Sequence, residues 1–307
     1  MPPMARYLVT GAAGFIGSNL CFGLLEQGHE VVAVDNLQTG SAQNLQGFTG
    51  DFYAVDVTVK GSLSGKFDGI FHHGDITDPR FPDDAVVLKR NVSGFQNLLD
   101  LAKQTGASLI YASTAGLYGN GPTPMREDQQ KHILTAYGKS KSQMDALAAE
   151  AGPEVHVVGL RYFNVFGPRE SHKGRAASMV YHLRQQMKQG KRPRLFNFGD
   201  QIRDFVYVKD VVRANLLALN APNGVYNVGT GRGSTFNELV DCLNVALKTS
   251  LTPEYFEMPY DPATYQENTQ ASIELAAEKM GYQPDWPLQK AVSDYMEWLD
   301  ASSDRNQ

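Results

Sequence analysis

The sequence predicts an α/β fold: a doubly wound parallel sheet with a smaller α/β lobe interleaved at its C-terminal side. Three observations predict it. Short apolar runs of strand length alternate with longer stretches of helical period, which is the pattern of a parallel sheet covered on both faces. The first strand leads into a helix through a glycine-rich turn. The alternation loosens after Gly167 and Pro168. At 307 residues the chain is long enough for one large domain or two lobes.

The opening segment, RYLVTGAAGFIGSNLCFGLLEQGHEVVAVDN, reads as a strand, a tight turn carrying Gly11, Gly14 and Gly17, a helix over about residues 16–26, and a second strand ending at Asp35. Glycines at these positions let the backbone turn sharply, approach a pyrophosphate and pack helix on strand, while the helix N-terminus attracts negative charge. With an acid about 20 residues on, suited to ribose hydroxyls, this is a dinucleotide site. Asn36, Leu37, Gln38, Thr39 and Gly40 follow Asp35 without a Lys or Arg to meet a 2′-phosphate, so NAD is favoured over NADP. The runs DFYAVDV, GIFHH, SLIYAS and VHVVGLRYF read as further strands, with helices around 89–103 and 136–151. A basic helix in AASMVYHLRQQMKQG, a strand and helix in FVYVKDVVRANLLALN and a Pro-punctuated C-terminal third complete the chain. These divide it into a dinucleotide-binding part, 1–168, and a substrate lobe, 169–307, interleaved with the sheet around 204–228.

Tyr137 and Lys141 stand four residues apart in TAYGKSK, so a helix puts them on one face. A free phenol has a pKa of ~10, and a fixed cation nearby lowers it by favouring the phenolate. The pair therefore reads as a proton-handling couple, the bland alternative being an exposed helix with one Tyr and several Lys. In open α/β sheets ligands bind beyond the carboxyl ends of the strands, so Ser113, Thr114 and the run after Arg161 are expected to line the crevice.

A net charge of -5 argues against a general nucleic-acid or membrane-surface binder and leaves small molecules as the expected partners. The two cysteines, Cys21 and Cys242, lie far apart and fit a reducing compartment; neither has a Cys or His at metal spacing. The N-terminal MPPMARYLVTG enters the first strand without a leader, and no apolar run approaches the length of a membrane span, so a cytoplasmic protein is expected.

The motifs TGAAGFIG, VDN, YAVDV, FHHGD, NVSGFQNLL, YASTAGLYG, YGKSK, RYFNVFGPR and RDFVYV follow one another in the order of the extended short-chain dehydrogenases/reductases. The chain resembles the nucleotide-sugar epimerase and dehydratase group of that family along essentially its whole length. The resemblance implies that Gly11, Gly14, Phe15, Ile16, Gly17, Asp35, Asn36, Asp56, Val57 and Asn91 hold the cofactor with Tyr137 and Lys141. Thr114 takes the place of the family's catalytic Ser/Thr. Ser113, Asn164, His172, Phe196, Arg203 and Tyr265 are implied on the side of a nucleotide-diphosphate sugar. Asn164 also reads as a turn cap, Arg203 as a structural partner of Asp204, and Phe196 or Phe198 as a ring in the lobe's own core.

Thr114 is followed by Ala115 and Gly116, where dehydratases of the group carry an Asp-Glu pair, so elimination lacks its carboxylates. An epimerase needs none: the carbinol is oxidised, the carbonyl turns its other face, and the hydride returns. RYFNVFGPRESHKGRAASMVYHLRQQMKQGKRPRLF, YQENTQAS and DYMEWL are similar to stretches of ADP-L-glycero-D-manno-heptose 6-epimerases. In those enzymes the Lys of the HKG segment is a second acid/base; here it is Lys173, whose other reading is a basic loop gripping a diphosphate. The chain departs from them in the run from Asp75 to Pro82 and in Ala263 and Thr264 before Tyr265. Inversion at carbon 4 of a UDP-hexose, a reductase on the same substrates, and a dinucleotide-binding scaffold without catalysis are the alternatives. Relatives of this kind associate as homo-oligomers, which is expected here too.

Overall fold

A computed structural model describes residues 4–78, 81–259 and 265–304. The strands are β1 (Arg6–Thr10), β2 (Glu30–Asp35), β3 (Asp51–Ala54), β4 (Gly69–His72), β5 (Ser108–Thr114), β6 (Val157–Tyr162), β7 (Asn164–Phe166), β8 (Arg194–Phe196), β9 (Ile202–Arg203), β10 (Phe205–Tyr207), β11 (Gly224–Val228), β12 (Ser234–Thr235) and β13 (Glu254–Phe256). The helices are α1 (Phe15–Glu26), α2 (Asp84–Thr105), α3 (Ala136–Glu150), α4 (Met179–Lys188), α5 (Val208–Ala218), α6 (Phe236–Leu247), α7 (Glu274–Met280) and α8 (Leu288–Asp304). Seven strands form one parallel sheet in the order β3-β2-β1-β4-β5-β6-β11. The chain reverses its direction of travel across the sheet between β1 and β4, which opens a crevice above their carboxyl ends.

The period-2 alternation of side chains sorts these strands between two cores. Val9, Val31, Ala33, Phe71, Val158 and Leu160 face α1 and α5, where they meet Leu20, Leu24, Val211 and Ala214. Leu8, Val32, Val34, Ile70 and Leu109 face α2 and α3 and meet Phe95, Leu98, Leu99 and Met144. Burial on both faces is why these strands read as nearly unbroken apolar runs. A third core, built from Leu183, Phe205, Leu239, Leu243, Val292 and Tyr295, lies under α4, α6 and α8 and takes in Phe15 and Phe166 as well.

Two elements differ from the sequence reading. β3 covers only Asp51–Ala54, because it is the outer strand of the sheet and Asp56 ends it by accepting from the Thr58 amide (2.9 Å) and hydroxyl (2.7 Å). α2 begins at Asp84 rather than near 89, since Asp83 caps it by accepting from the amides of Ala85 and Val86, and it ends at Gly106 with φ +74°.

Candidate active site

The turn from β1 into α1 works only with glycine at its tightest points. Gly11 has φ +66°, and a Cβ there would lie 2.3 Å from the His73 carbonyl oxygen; a Cβ on Gly17 would lie 2.1 Å from the carbonyl oxygen of Gly11. Gly14 caps α1 without a side chain, so the first amides of the helix are left to the crevice. At the end of β2 the Asp35 carboxylate accepts from the amides of Ala13 (3.0 Å) and Leu37 (2.7 Å), which fixes it beside the turn. Asp56 is paired with Arg90 at 2.6 Å. Burial works against the Asp56 charge, but the hydrogen bonds from Thr58 and Arg90 hold the carboxyl down at about 2. Arg90 enters from α2, a contribution the run after Asp35 gave no sign of.

These groups open onto a cleft of about 730 Å³. Phe15, Ile16, Asn36, Val57 and Asn91 line it beside the glycines, Asp35 and Asp56. Asn91 ties the segment after β4 to its surroundings, accepting from the Ile76 amide (2.8 Å) and donating to the Ile76 carbonyl (3.0 Å) and Ser140 (3.1 Å). A glycine cradle, an open helix end and a fixed carboxylate at the next strand's end form a set that fits a dinucleotide.

Thr114, Tyr137 and Lys141 meet at the far side of the same cleft. Thr135 caps α3, accepting from the Gly138 amide at 3.0 Å, and this sets Tyr137 in the first turn with Lys141 one turn on. The Thr114 hydroxyl is hydrogen-bonded to the phenol. Lys141 Nζ lies 5.7 Å from the Tyr137 ring centroid, but its hydrogen bonds go to Asp75 Oδ2 and the Ala112 carbonyl, both at 2.5 Å. This corrects the expected tuning. Burial pushes the phenol above its ordinary value, and the Lys141 cation, although it acts downward as expected, does not overcome burial and the Asp75 charge. Lys141 is itself raised, because Asp75 and Tyr137 outweigh its burial.

His172 and Lys173 reach the cleft from the turn Ser171–Ala176. Glu170 anchors that turn by accepting from the Ser178 amide (2.5 Å) and hydroxyl (2.8 Å) and the Gly167 amide (3.2 Å). Burial lowers the Lys173 ammonium against the pull of Glu170 and Asp78, and burial likewise lowers His172. The ring of His172 is fixed by Asn44 and by the Arg169 carbonyl, both at 2.9 Å.

The remaining expected residues sit elsewhere. Ser113 borders the cleft, but its hydroxyl donates to Asp145 at 2.9 Å, since neighbouring residues of a strand face opposite ways and Thr114 takes the outward place. Asn164, Phe196, Arg203 and Tyr265 do not line the cleft. Asn164 is exposed and accepts from Thr269 at 3.0 Å. Phe196, Arg203 and Tyr265 cluster together: the Arg203 guanidinium is 5.0 Å from the Tyr265 ring, which lies 5.3 Å from Phe196. Arg203 is not a partner of Asp204. It donates to the carbonyls of Ile202, Gln266 and Glu267, whereas Asp204 accepts from Thr230, Gly231 and Ala271. Phe196 packs edge-on against Phe256, while Phe198 is 70 % exposed. Pro79, Arg80, Ala263 and Thr264 lie outside the described residues.

The model of the NAD dependent epimerase/dehydratase family matches residues 7–229. The chain belongs to that family. It is 36% identical to an ADP-L-glycero-D-manno-heptose-6-epimerase of Brachyspira hyodysenteriae, across 96% of this chain and 98% of the relative. The crystal structure of the Helicobacter pylori ADP-L-glycero-D-manno-heptose-6-epimerase superposes with a TM-score of 0.91 at 36% identity, covering 97% of each chain. UDP-glucose 4-epimerase of Thermotoga maritima, solved with UDP-glucose, gives 0.88 at 31% identity over 97% of this chain and 99% of that one. The cradle, open helix end and Asp35 described above are the parts of this family member that suit NAD.

Proposed function

We propose that the chain is an NAD-dependent nucleotide-sugar epimerase that inverts a carbinol carbon, most like the ADP-L-glycero-D-manno-heptose 6-epimerases. The observation that carries this reading is the meeting of Thr114, Tyr137, Lys141 and Lys173 in one cleft. NAD held by the glycine turn, Asp35 and Asp56 would supply a reversible hydride acceptor, with no net change of redox state over a cycle. In this reading the Tyr137 oxygen takes the carbinol proton and later returns it, Thr114 holds the phenol and the sugar oxygen by hydrogen bonds, and Lys141 fixes the phenol's field. Lys173, desolvated and lowered, is suited to move a proton on the opposite face of an aldehyde at carbon 6. His172 lies at the diphosphate end, and Arg203 with Phe196 and Tyr265 receives the nucleotide end, with Asn164 nearby on β7. On this view residues 169–307 form the substrate lobe, interleaved with the sheet around 204–228, and the protein acts as a cytoplasmic homo-oligomer, a location that suits its two free cysteines.

The likeness to a UDP-glucose 4-epimerase favours a second reading, inversion at carbon 4 of a UDP-hexose, for which Lys173 is not needed. Proton NMR of the purified protein with ADP-, GDP- and UDP-sugars, run on wild type and Lys173→Ala, separates the two. Carbon 6 chemistry predicts a second diastereomer from an ADP-heptose and a fall in kcat of about 10²-fold or more in the variant. A lysine that only grips phosphate predicts a raised KM with kcat kept. Stoichiometric consumption of added cofactor, or no new diastereomer from any sugar, overturns the epimerase reading.

A further inference from the structure

The run His72, His73, Gly74, Asp75 leaves β4 at the floor of the cleft, and the acid/base reading gives its carboxylate no task. The Asp75 side chain is 1% exposed. Its Oδ2 lies 2.5 Å from Lys141 Nζ and its Oδ1 3.4 Å from His72 Nε2, while His72 Nδ1 is held by the Thr10 hydroxyl at 2.8 Å. The other charged and titratable groups around the pair are committed elsewhere. His73 pairs with the Tyr162 hydroxyl at 3.0 Å, and Asp145, the second acid acting on Lys141, is held by Arg161 at 2.9 Å. A carboxylate in contact with an ammonium turns a point charge into a short dipole, whose field falls off faster with distance.

We propose that Asp75 is a positioning residue for the Tyr137–Lys141 couple: it anchors the ammonium and offsets the cation's field at the phenol, so that the enzyme turns over fastest on the alkaline side of neutrality. The proposal rests on Tyr137 as the acid/base. Asp75 also opens the segment in which the chain departs from the heptose epimerases. Burial works against the Asp75 charge, but Lys141 and His72 hold the carboxyl ionised, well below the usual carboxylate range.

The test is Asp75→Asn in the NAD-saturated protein, with ¹³Cζ-labelled tyrosine and the Tyr137 signal assigned by its loss in Tyr137→Phe. The expected result is a phenol titration that moves down by about one pH unit or more, with the ascending, acidic limb of kcat/KM moving down with it. Asp75→Ala, which leaves room for a water beside Lys141, serves if the Asn variant does not fold. A Tyr137 titration unchanged from wild type in a folded, NAD-binding variant overturns the proposal. So does a wild-type phenol that already titrates two or more units below the free value of ~10. Unchanged titration in an enzyme that epimerises sugars sinks this inference alone, whereas wild type that epimerises nothing sinks the functional reading and leaves the titration to be read by itself.

Discussion

Tyr137 presents one oxygen to the cleft, hydrogen-bonded to Thr114, while the Lys141 ammonium lies 5.7 Å from its ring centroid. Removing the oxygen and keeping the ring separates the two contributions. Tyr137→Phe is expected to lower kcat by about 10²-fold or more while NAD affinity, followed by calorimetry, stays within a few-fold; turnover at the wild-type level would remove the phenol from the chemistry. The pairing of these two residues was legible because helical spacing alone puts them together. Their net tuning was not, because Asp75 reaches Lys141 from 66 residues away and no local pattern encodes that contact. A signal did exist: FHHGD puts a carboxylate three residues beyond the end of a buried strand, and a charge in such a place requires a partner.

The glycine turn and α1 act as one unit, and their fit was the most readable part of the chain. Gly11→Ala adds a Cβ against the His73 carbonyl and forces a left-handed φ on alanine, which costs on the order of 1–3 kcal/mol. The expected outcome is a protein with a lower Tm and much weakened NAD binding, measured by thermal melts with and without cofactor; an unchanged NAD-induced rise in Tm would show that the turn does not set the cradle. The start of α3 was legible where Thr135 caps it, whereas the Asp83 cap of α2 went unread and left that helix's start more than a turn out. The short pairs β9 with β12 and β8 with β13 were not legible, since two or three residues carry no periodicity and their register comes from the lobe's packing. The cluster of Phe196, Arg203 and Tyr265 was nameable residue by residue, yet its standing outside the lining of the cleft is a property of the folded chain.

Across the whole molecule the buried ionisable groups set how stability responds to acid. Burial holds His73 down at about 3, helped by the charges of His72 and Lys141, so the folded state keeps it neutral where the unfolded chain takes up a proton below about 6.5. The unfolded state then binds more protons, and stability falls as pH drops from about 6.5 toward 3. Asp75, depressed by Lys141, adds a further loss below about 4, where the unfolded carboxyl begins to protonate. Thermal melts from about pH 7 to 4 at constant NAD are expected to show a steady fall, steeper than in a His73→Gln variant; a flat profile to pH 5 would rule out a neutral buried His73. The return of β11 to the sheet could be read only as an overlap around 204–228, because strand order is decided by packing. That return matters during synthesis. β6 leaves the ribosome as a raw edge with open amides and carbonyls, and it stays so until Gly224–Val228 has been translated and docked beside it. The first part of the chain is thus an aggregation hazard until β11 has emerged and docked, and a message that stalls before Val228 would leave a nascent protein in need of a chaperone.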